Sequence, residues 1–212
     1  MRSLSEHQSR EFLAPYAIPL VAARLVTSAE QALAAAAALG FPVVLKANGA
    51  GLSHKSDQGL VRLGLHDAAA VQRAYAELVE RAGAAADGVL VQPQLGSQRE
   101  LVAGLQRDAQ FGPCVMFGLG GILAEAIGDV VFRVAPLQRA DALAMLDEIR
   151  GAGLLGAVRG LPAVDRERLA EVLLALGRVG LERPEVAAVD LNPLLLDGAQ
   201  PLAADALVLL QD

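Results

Sequence analysis

Apolar and polar positions along this chain follow two periods in turn, one near 3.6 residues that predicts helices and short apolar or alternating runs that predict strands. "SEHQSREFLAPY" (residues 5–16) predicts a helix with Ser5 as N-cap, Phe12 and Leu13 on one face, and Pro15 closing it. "RLVTS" (24–28) reads as a short strand, and Ser28 caps an alanine-rich helix over 29–39 that Gly40 ends. "PVVLKA" follows as a buried strand and "LVRLGL" as another, before Asp67 caps a helix reaching about residue 82. "GVLVQP" (88–93), "ELVAGLQ" (100–106), "PCVMFG" and "VVFRVAP" continue as strands. Helices are expected over 138–150 and 165–181, with Asp141 and Asp165 as capping candidates. The tail from 186 to 210 predicts two or three short strands, joined at "LDGAQ" by an Asp-Gly turn. The pattern is that of an α+β chain with many short strands. Its N-terminal part spans about 1–93, its C-terminal part about 99–212, and "PQLGSQR" (93–99) is the expected hinge.

Composition narrows the class. A formal net charge of -6 argues against nucleic acid as the main partner, so an anionic ligand must be held by local donors. An aromatic content of 3% without tryptophan removes stacking platforms for bases or sugars. Cys114 is the only cysteine, which excludes an internal disulfide and points to a reducing cytosol. The opening residues "MRSLSEHQSREF" lack the apolar core of a leader, and no charge-free apolar run reaches the ~18 residues of a membrane span. The expectation is a cytoplasmic protein with a small-molecule or protein partner.

Several residues stand apart from these patterns. Lys46 ends an otherwise apolar strand, so its ammonium either reaches solvent or meets an anion, and the glycines at 49 and 51 favour a phosphate-facing mouth. "GLGGI" (118–122) follows a strand, where glycines let backbone N–H groups approach an anion or simply form a tight turn. It is neither a Walker A sequence nor a dinucleotide fingerprint. In "VDLNPLLL" an extended backbone places Asp190 and Asn192 on one face, where their oxygens suit Mg²⁺, unless they merely begin a turn before Pro193. Asp205, in "AADAL", can add a second carboxylate from the adjacent antiparallel strand. Glu100, Glu125 and Arg133 are lone charges at strand-like positions. His54 sits in the small-residue loop "GAGLSHKSDQG" (49–59), with Lys55 and Asp57 expected as solvated neighbours. No second His or Cys stands at metal spacing, so a phosphoryl acceptor suits His54 better than a ligand.

Taken in order, "FPVVLKA", "HKSDQGLVRL", "VLVQP", "RELVAG", "QFGPCVMFGLGGI", "VVFRVAPL" and "VDLNPLL" resemble the ATP-grasp domain of ADP-forming (NDP-forming) acyl-CoA synthetases. The likeness is to the β subunit of the acetyl-CoA synthetase type, related to that of succinyl-CoA synthetase, and covers essentially the whole chain. It implies a two-lobed fold whose antiparallel sheets clamp ATP or ADP. Lys46 would then contact the phosphates, Val91 and Gln92 would face adenine (Gln92 mainly through its backbone), and Glu100 would help to hold the nucleotide. Gly118, Gly120, Gly121 and Arg133 would lie near the phosphates, and Asp190, Asn192 and Asp205 would hold Mg²⁺. His54 would carry phosphate between the nucleotide and a phosphohistidine of the partner. Gly59-Leu60 replaces the usual Gly-Gly pair, and "NGAGLS" replaces a Ser-Pro-containing version. CoA-binding and ligase domains are absent from the sequence, so the resemblance implies an α subunit or fused domains as partner, in a hetero-oligomer. A stand-alone carboxylate ligase working through an acylphosphate and a nucleotide-sensing regulatory module are the rival readings.

Overall fold

The computed structural model describes residues 1–52, 55–121 and 128–211, which divide into two units by their internal contacts. One comprises Ser3–Ser9 and Val21–Gln94, the other Met1–Arg2, Arg10–Leu20 and Leu95–Asp212.

The smaller unit has one sheet in the order β2-β5-β3-β4: β2 (Arg24–Val26), β5 (Gly88–Pro93), β3 (Val43–Asn48) and β4 (Val61–Leu65). Helices α2 (Ala29–Leu39) and α3 (Ala68–Ala82) cover one face. Ser28 caps α2, its Oγ accepting from the Gln31 N–H at 3.2 Å, and Asp67 caps α3 through the Ala70 N–H at 2.7 Å. Ala32, Ala35 and Ala36 of α2 and Val71, Ala74 and Leu78 of α3 form one core with Val43, Leu45, Val89 and Val91. Small side chains on α2 let that helix lie close to the sheet. Side chains alternate along a strand, so Val44, Lys46, Leu90 and Gln92 must point to the opposite face.

The first turn of α1 (Glu6–Leu13) also belongs to this unit. Ser5 and Gln8 form a reciprocal cap, the Gln8 N–H donating to Ser5 Oγ at 3.2 Å and the Ser5 N–H to Gln8 Oε1 at 3.0 Å. The segment Arg10–Leu20, expected with the N-terminal part, joins the larger unit instead. The reason is specific: Leu20 bridges to Ala203, the Ala203 N–H donates to Pro19 O at 2.9 Å, and the Arg183 guanidinium stacks 4.2 Å from the Phe12 ring centroid.

The larger unit is built on a sheet ordered β1-β11-β9-β6-β7-β8, with β10 also paired to β9. Its strands are β1 (Arg2–Ser3), β6 (Glu100–Asp108), β7 (Gly112–Leu119), β8 (Val130–Val134), β9 (Val186–Asp197), β10 (Gln200–Ala203) and β11 (Leu207–Leu210). Pairings among β2 to β11 are antiparallel. The tail differs from expectation in that its first strand, β9, is 12 residues long and pairs with β6, β10 and β11. Helices α4 (Arg139–Glu148) and α5 (Arg166–Glu182) cover one face of this sheet. Asp165 caps α5, whereas Asp141 lies inside α4, where its Oδ2 accepts from the Gln138 N–H at 2.8 Å. Gly180 permits the close approach of α5, because a Cβ there would stand 2.6 Å from Pro113 Cβ and 2.9 Å from Leu105 Cδ1. Among the described residues no helix is long and apolar enough to cross a membrane.

Candidate functional site

The candidate residues of the smaller unit gather on the sheet face that α2 and α3 leave uncovered. Val44 is the Cα partner of Gln92 and Lys46 that of Leu90, so these side chains share one face. Lys46 is 5% exposed and donates to Glu6 of α1 at 3.2 Å to Oε1 and 3.4 Å to Oε2. Lys55 pairs with the same carboxylate through Oε2. The expectation that Lys55 is solvated is thus corrected: it is buried against Glu6, while Asp57 is exposed. Gln92 is 3% exposed, and among the described residues its Oε1 has no hydrogen-bond partner. A buried acceptor without a donor is costly, which makes Gln92 a candidate for taking a donor from a ligand. The Val91 side chain lies in the helix-facing core, and β2 and β3 pair with its strand on either edge.

Glycine at 49 is required by packing, since a Cβ there would lie 2.0 Å from Ala85 O. The following turn is closed by the Leu60 N–H donating to Lys55 O at 2.7 Å and the Gly59 N–H to Ser56 O at 3.0 Å. Leu60, in place of the second glycine, is buried. His54 and Glu125 lie outside the described residues.

In the larger unit Leu101, Ala103, Leu105, Val115 and Phe117 are buried on the helix side of the sheet, and Val189 and Leu191 continue that side on β9. Asp190 and Asn192 alternate with these and are exposed on the opposite, open face. Between the pairs Leu101–Leu194 and Ala103–Leu191, β9 carries one residue more than β6, a bulge at Asn192-Pro193. Beyond it Leu194 and Leu196 are the buried positions, so the bulge resets the phase of the strand just after the candidate pair. Glu100 lies on the open face too, and its Oε2 would be 3.5 Å from a Cβ on Gly121. Gly104, the Cα partner of Asp190, has no side chain to obstruct that face.

Asp205 sits in the turn from β10 into β11, and Leu207 of β11 is the other Cα partner of Asp190. The Ala204 N–H donates to Pro193 O at 2.9 Å, which ties this turn to the bulge. One Asp205 oxygen, Oδ1, accepts from the Ala206 N–H at 2.8 Å. Two carboxylates and a carboxamide would make a hard oxygen set, suited to Mg²⁺ rather than to a soft metal. Among the described residues no group of three or more His, Cys, Asp or Glu can hold a metal, so the set needs the Asn192 amide.

The remaining candidates divide. Gly118 and Gly120 are required by neighbouring backbone: a Cβ on Gly118 would lie 2.4 Å from Asp129 O and one on Gly120 2.9 Å from Leu101 O. The Gly120 N–H donates to Glu100 O at 2.8 Å, so that amide is engaged within the sheet. Gly121 has φ +81°, a left-handed conformation that favours glycine. Arg133, expected near the phosphates, stands on β8 opposite Val115. Its Cα partner Val115 faces α5, with Cγ2 3.8 Å from where a Gly177 Cβ would be, so Arg133 is on the helix side and pairs with Glu148 of α4. Burial, then nearby Asp108, pushes the Cys114 thiol up, which favours its neutral form.

Sequence reasoning missed Glu6 and Asn48. Glu6 shares a buried stripe of α1 with Ser9 and Leu13, at i, i+3 and i+7, and that spacing was the available signal. Asn48, two residues beyond Lys46 on the same side of β3, accepts from the His7 N–H at 2.9 Å and donates to Asp87 Oδ1 at 2.6 Å.

Comparison with known proteins identifies the family. A family model described as an ATP-grasp domain matches residues 1–210. The β subunit of ADP-forming acetate–CoA ligase I from Pyrococcus furiosus is 36% identical over 214 residues, covering 99% of this chain and 92% of that protein. ADP-forming acetate–CoA ligase II of Archaeoglobus fulgidus is 37% identical over 96% of this chain, which spans only 30% of that longer protein. Among solved structures, acetyl-coenzyme A synthetase 1 of Ca. Korarchaeum cryptofilum, in complex with coenzyme A and Ca-AMPCP, superposes with a TM-score of 0.93 at 41% identity, covering 99% of this chain and 94% of that one. A further structure of that synthetase holds coenzyme A and Mg-AMPPCP, with its phosphohistidine segment pointing towards the nucleotide site. The motif resemblance and the α+β fold with antiparallel sheets are both borne out.

Proposed function

The chain belongs to the ATP-grasp domain family, and on that premise we propose that it is the nucleotide-binding component of an ADP-forming acyl-CoA synthetase. The net reaction is acyl-CoA + ADP + phosphate ⇌ acid + CoA + ATP. The observation that carries the reading is the open face of the larger sheet, where Asp190 and Asn192 are exposed beside the β9 bulge and Glu100 lies on the same face at the start of β6. Acidic and amide oxygens on an otherwise apolar strand serve a cation, and a cation there serves phosphates.

Asp190, Asn192 and Asp205 would hold Mg²⁺, which supplies neutralisation of phosphate charge when bound. Lys46 contributes a buried ammonium to the phosphates, and Gln92 offers its carbonyl oxygen to a donor on the base. Glu100 orients the nucleotide from the first residue of β6. His54 accepts the terminal phosphoryl on a neutral ring nitrogen: the P–O bond to the ADP oxygen breaks as the P–N bond forms. The phosphoryl then passes to a histidine on a CoA-binding and ligase partner, either an α subunit or fused domains: the P–N bond at His54 breaks as the new P–N bond forms, and the partner's residue becomes the phosphohistidine. A protonated ring has no lone pair to offer, so phosphoryl transfer falls as His54 becomes charged.

The test has two arms. Asp190→Ala and Asn192→Ala are expected to remove the Mg²⁺ dependence of ADP binding, measured by calorimetry. His54→Ala is expected to keep ADP binding but lose acyl-CoA formation in the presence of the partner. Wild-type turnover by His54→Ala would end the phosphoryl-shuttle reading.

A further inference from the structure

Glu6 is the buried acid that the proposed chemistry leaves unused. Its side chain is 1% exposed and accepts from Lys46 Nζ at 3.2 Å and from Lys55 Nζ. One carboxylate therefore joins a lysine of the central strand β3 to a lysine of the turn that follows His54. We propose that Glu6 is a positioning residue for nucleotide binding, acting through Lys46 and Lys55; the inference rests on the reading of Lys46 as a phosphate contact.

The framework around Glu6 supports placement rather than mere bulk. Its helix begins with the reciprocal Ser5–Gln8 cap, which fixes the first turn. The next residue, His7, donates its N–H to Asn48 Oδ1 at 2.9 Å, and Asn48 is itself held by Asp87 at 2.6 Å. The carboxylate is thus tied to β3 two residues from Lys46. The Lys55 side is equally fixed, since its carbonyl closes the turn with Leu60 at 2.7 Å and Arg81 Nε holds Gln58 O at 2.7 Å.

A lysine ammonium on four methylenes has many rotamers, and a phosphate site built on it must restrict them before binding. Glu6 supplies that restriction. It can serve both lysines because a carboxylate offers two oxygens and about four lone-pair sites. Stability alone is a weak reason for such a group. Buried ion pairs are often replaced by apolar residues of similar volume without loss, whereas a placed charge has no apolar substitute. Removing the carboxylate also brings two ammoniums together without their shared counter-charge, which displaces both from their present positions.

The experiment compares the full protein, with any partner subunit it carries, as wild type, Glu6→Gln, Glu6→Asp, Lys46→Met and the Glu6→Gln/Lys46→Met double variant. Circular dichroism first fixes a temperature at which each is folded, and calorimetry then gives the affinity for Mg-ADP. Glu6→Gln is expected to weaken ADP binding on the order of ten- to a hundredfold, as loss of a group that orients a ligand contact does. Lys46→Met should weaken it at least as much, and the double variant by less than the sum of the two losses, because Glu6 acts in part through Lys46. If Glu6→Gln does not fold, Glu6→Asp keeps the charge one methylene short, and weakened ADP binding with a wild-type fold supports the role. Wild-type affinity in the folded Glu6 variants beside a weakened Lys46→Met overturns the positioning role and leaves the nucleotide reading intact. Additive losses in the double variant also overturn it. Unchanged affinity in Lys46→Met overturns the reading of Lys46 and the inference with it.

Discussion

Asp190 faces Gly104 across the β6–β9 pairing, so the exposed carboxylate has a residue without a side chain as its neighbour on the open face. The glycine is also demanded by the backbone, since a Cβ there would lie 2.8 Å from Val189 O. Gly104→Ala should therefore move β9 at the candidate metal ligands. We expect a loss of about 1–3 kcal/mol in urea denaturation, as overpacking costs, together with weaker Mg-ADP binding. Unaltered stability would mean that the two strands separate more easily than their register implies.

Asp190→Asn should separate function from folding. The residue is exposed, so stability should stay within about 0.5 kcal/mol of wild type. Removing one charge from the oxygen set should raise the Mg²⁺ concentration needed for half-maximal ADP binding, read by titration at fixed ADP. An unchanged Mg²⁺ requirement would remove Asp190 from the ligand set.

Arg133 gives the opposite expectation from the one its motif carries. Its partner is Glu148, with side-chain exposures of 34% and 43%, and it lies on the helix side of the sheet. Arg133→Ala should cost less than about 1 kcal/mol, as exposed pairs do, and leave ADP affinity unchanged. A large loss of affinity would show that Arg133 leaves Glu148 when nucleotide binds.

Gln92 should trade stability against binding. Its Oε1 is buried, with no partner among the described residues, so Gln92→Met removes an unmet acceptor. We expect the nucleotide-free protein to gain about 1–3 kcal/mol while ADP binds more weakly. Equal losses in both measurements would mean that the amide makes structural bonds instead.

Asp165 should make the stability of α5 sensitive to acid. Its carboxylate accepts first from the Arg168 N–H at 3.1 Å and also from Gln200 Nε2 at 3.2 Å, which hold its pKa below the usual carboxylate value. A depressed folded pKa gives stabilisation that is complete above the unfolded value, near about 4, and is lost as pH falls through the folded value. Asp165→Asn should therefore melt below wild type at pH 7, with the gap closing below about pH 4. A gap independent of pH would assign the effect to shape rather than charge.

What could be read from the residues was whatever depends on neighbours along the chain. Caps at Ser5, Ser28, Asp67 and Asp165 lie one turn from the groups they satisfy, so their signals are local. The two-residue alternation of Asp190 and Asn192 placed them on one face before any sheet existed, and the turn at Asp197-Gly198 followed from the dihedral freedom of glycine, with φ +61° at Gly198.

Register, face and long-range partners were decided only by the tertiary structure. The motif around Arg133 does not say which side of β8 meets α4, and the pairing with Val115 does. Nothing near Lys55 in the chain foretells its burial; its counter-charge is Glu6, 49 residues away. Val91 and Gln92 are adjacent and both buried, yet one faces the helical core and the other the opposite face of the sheet, because a strand turns successive side chains to opposite faces. Local sequence determines which element forms and where it stops. Which charge meets which is determined by the folding of distant segments onto one sheet, where leaving a buried ion unpaired costs more than any local preference can supply.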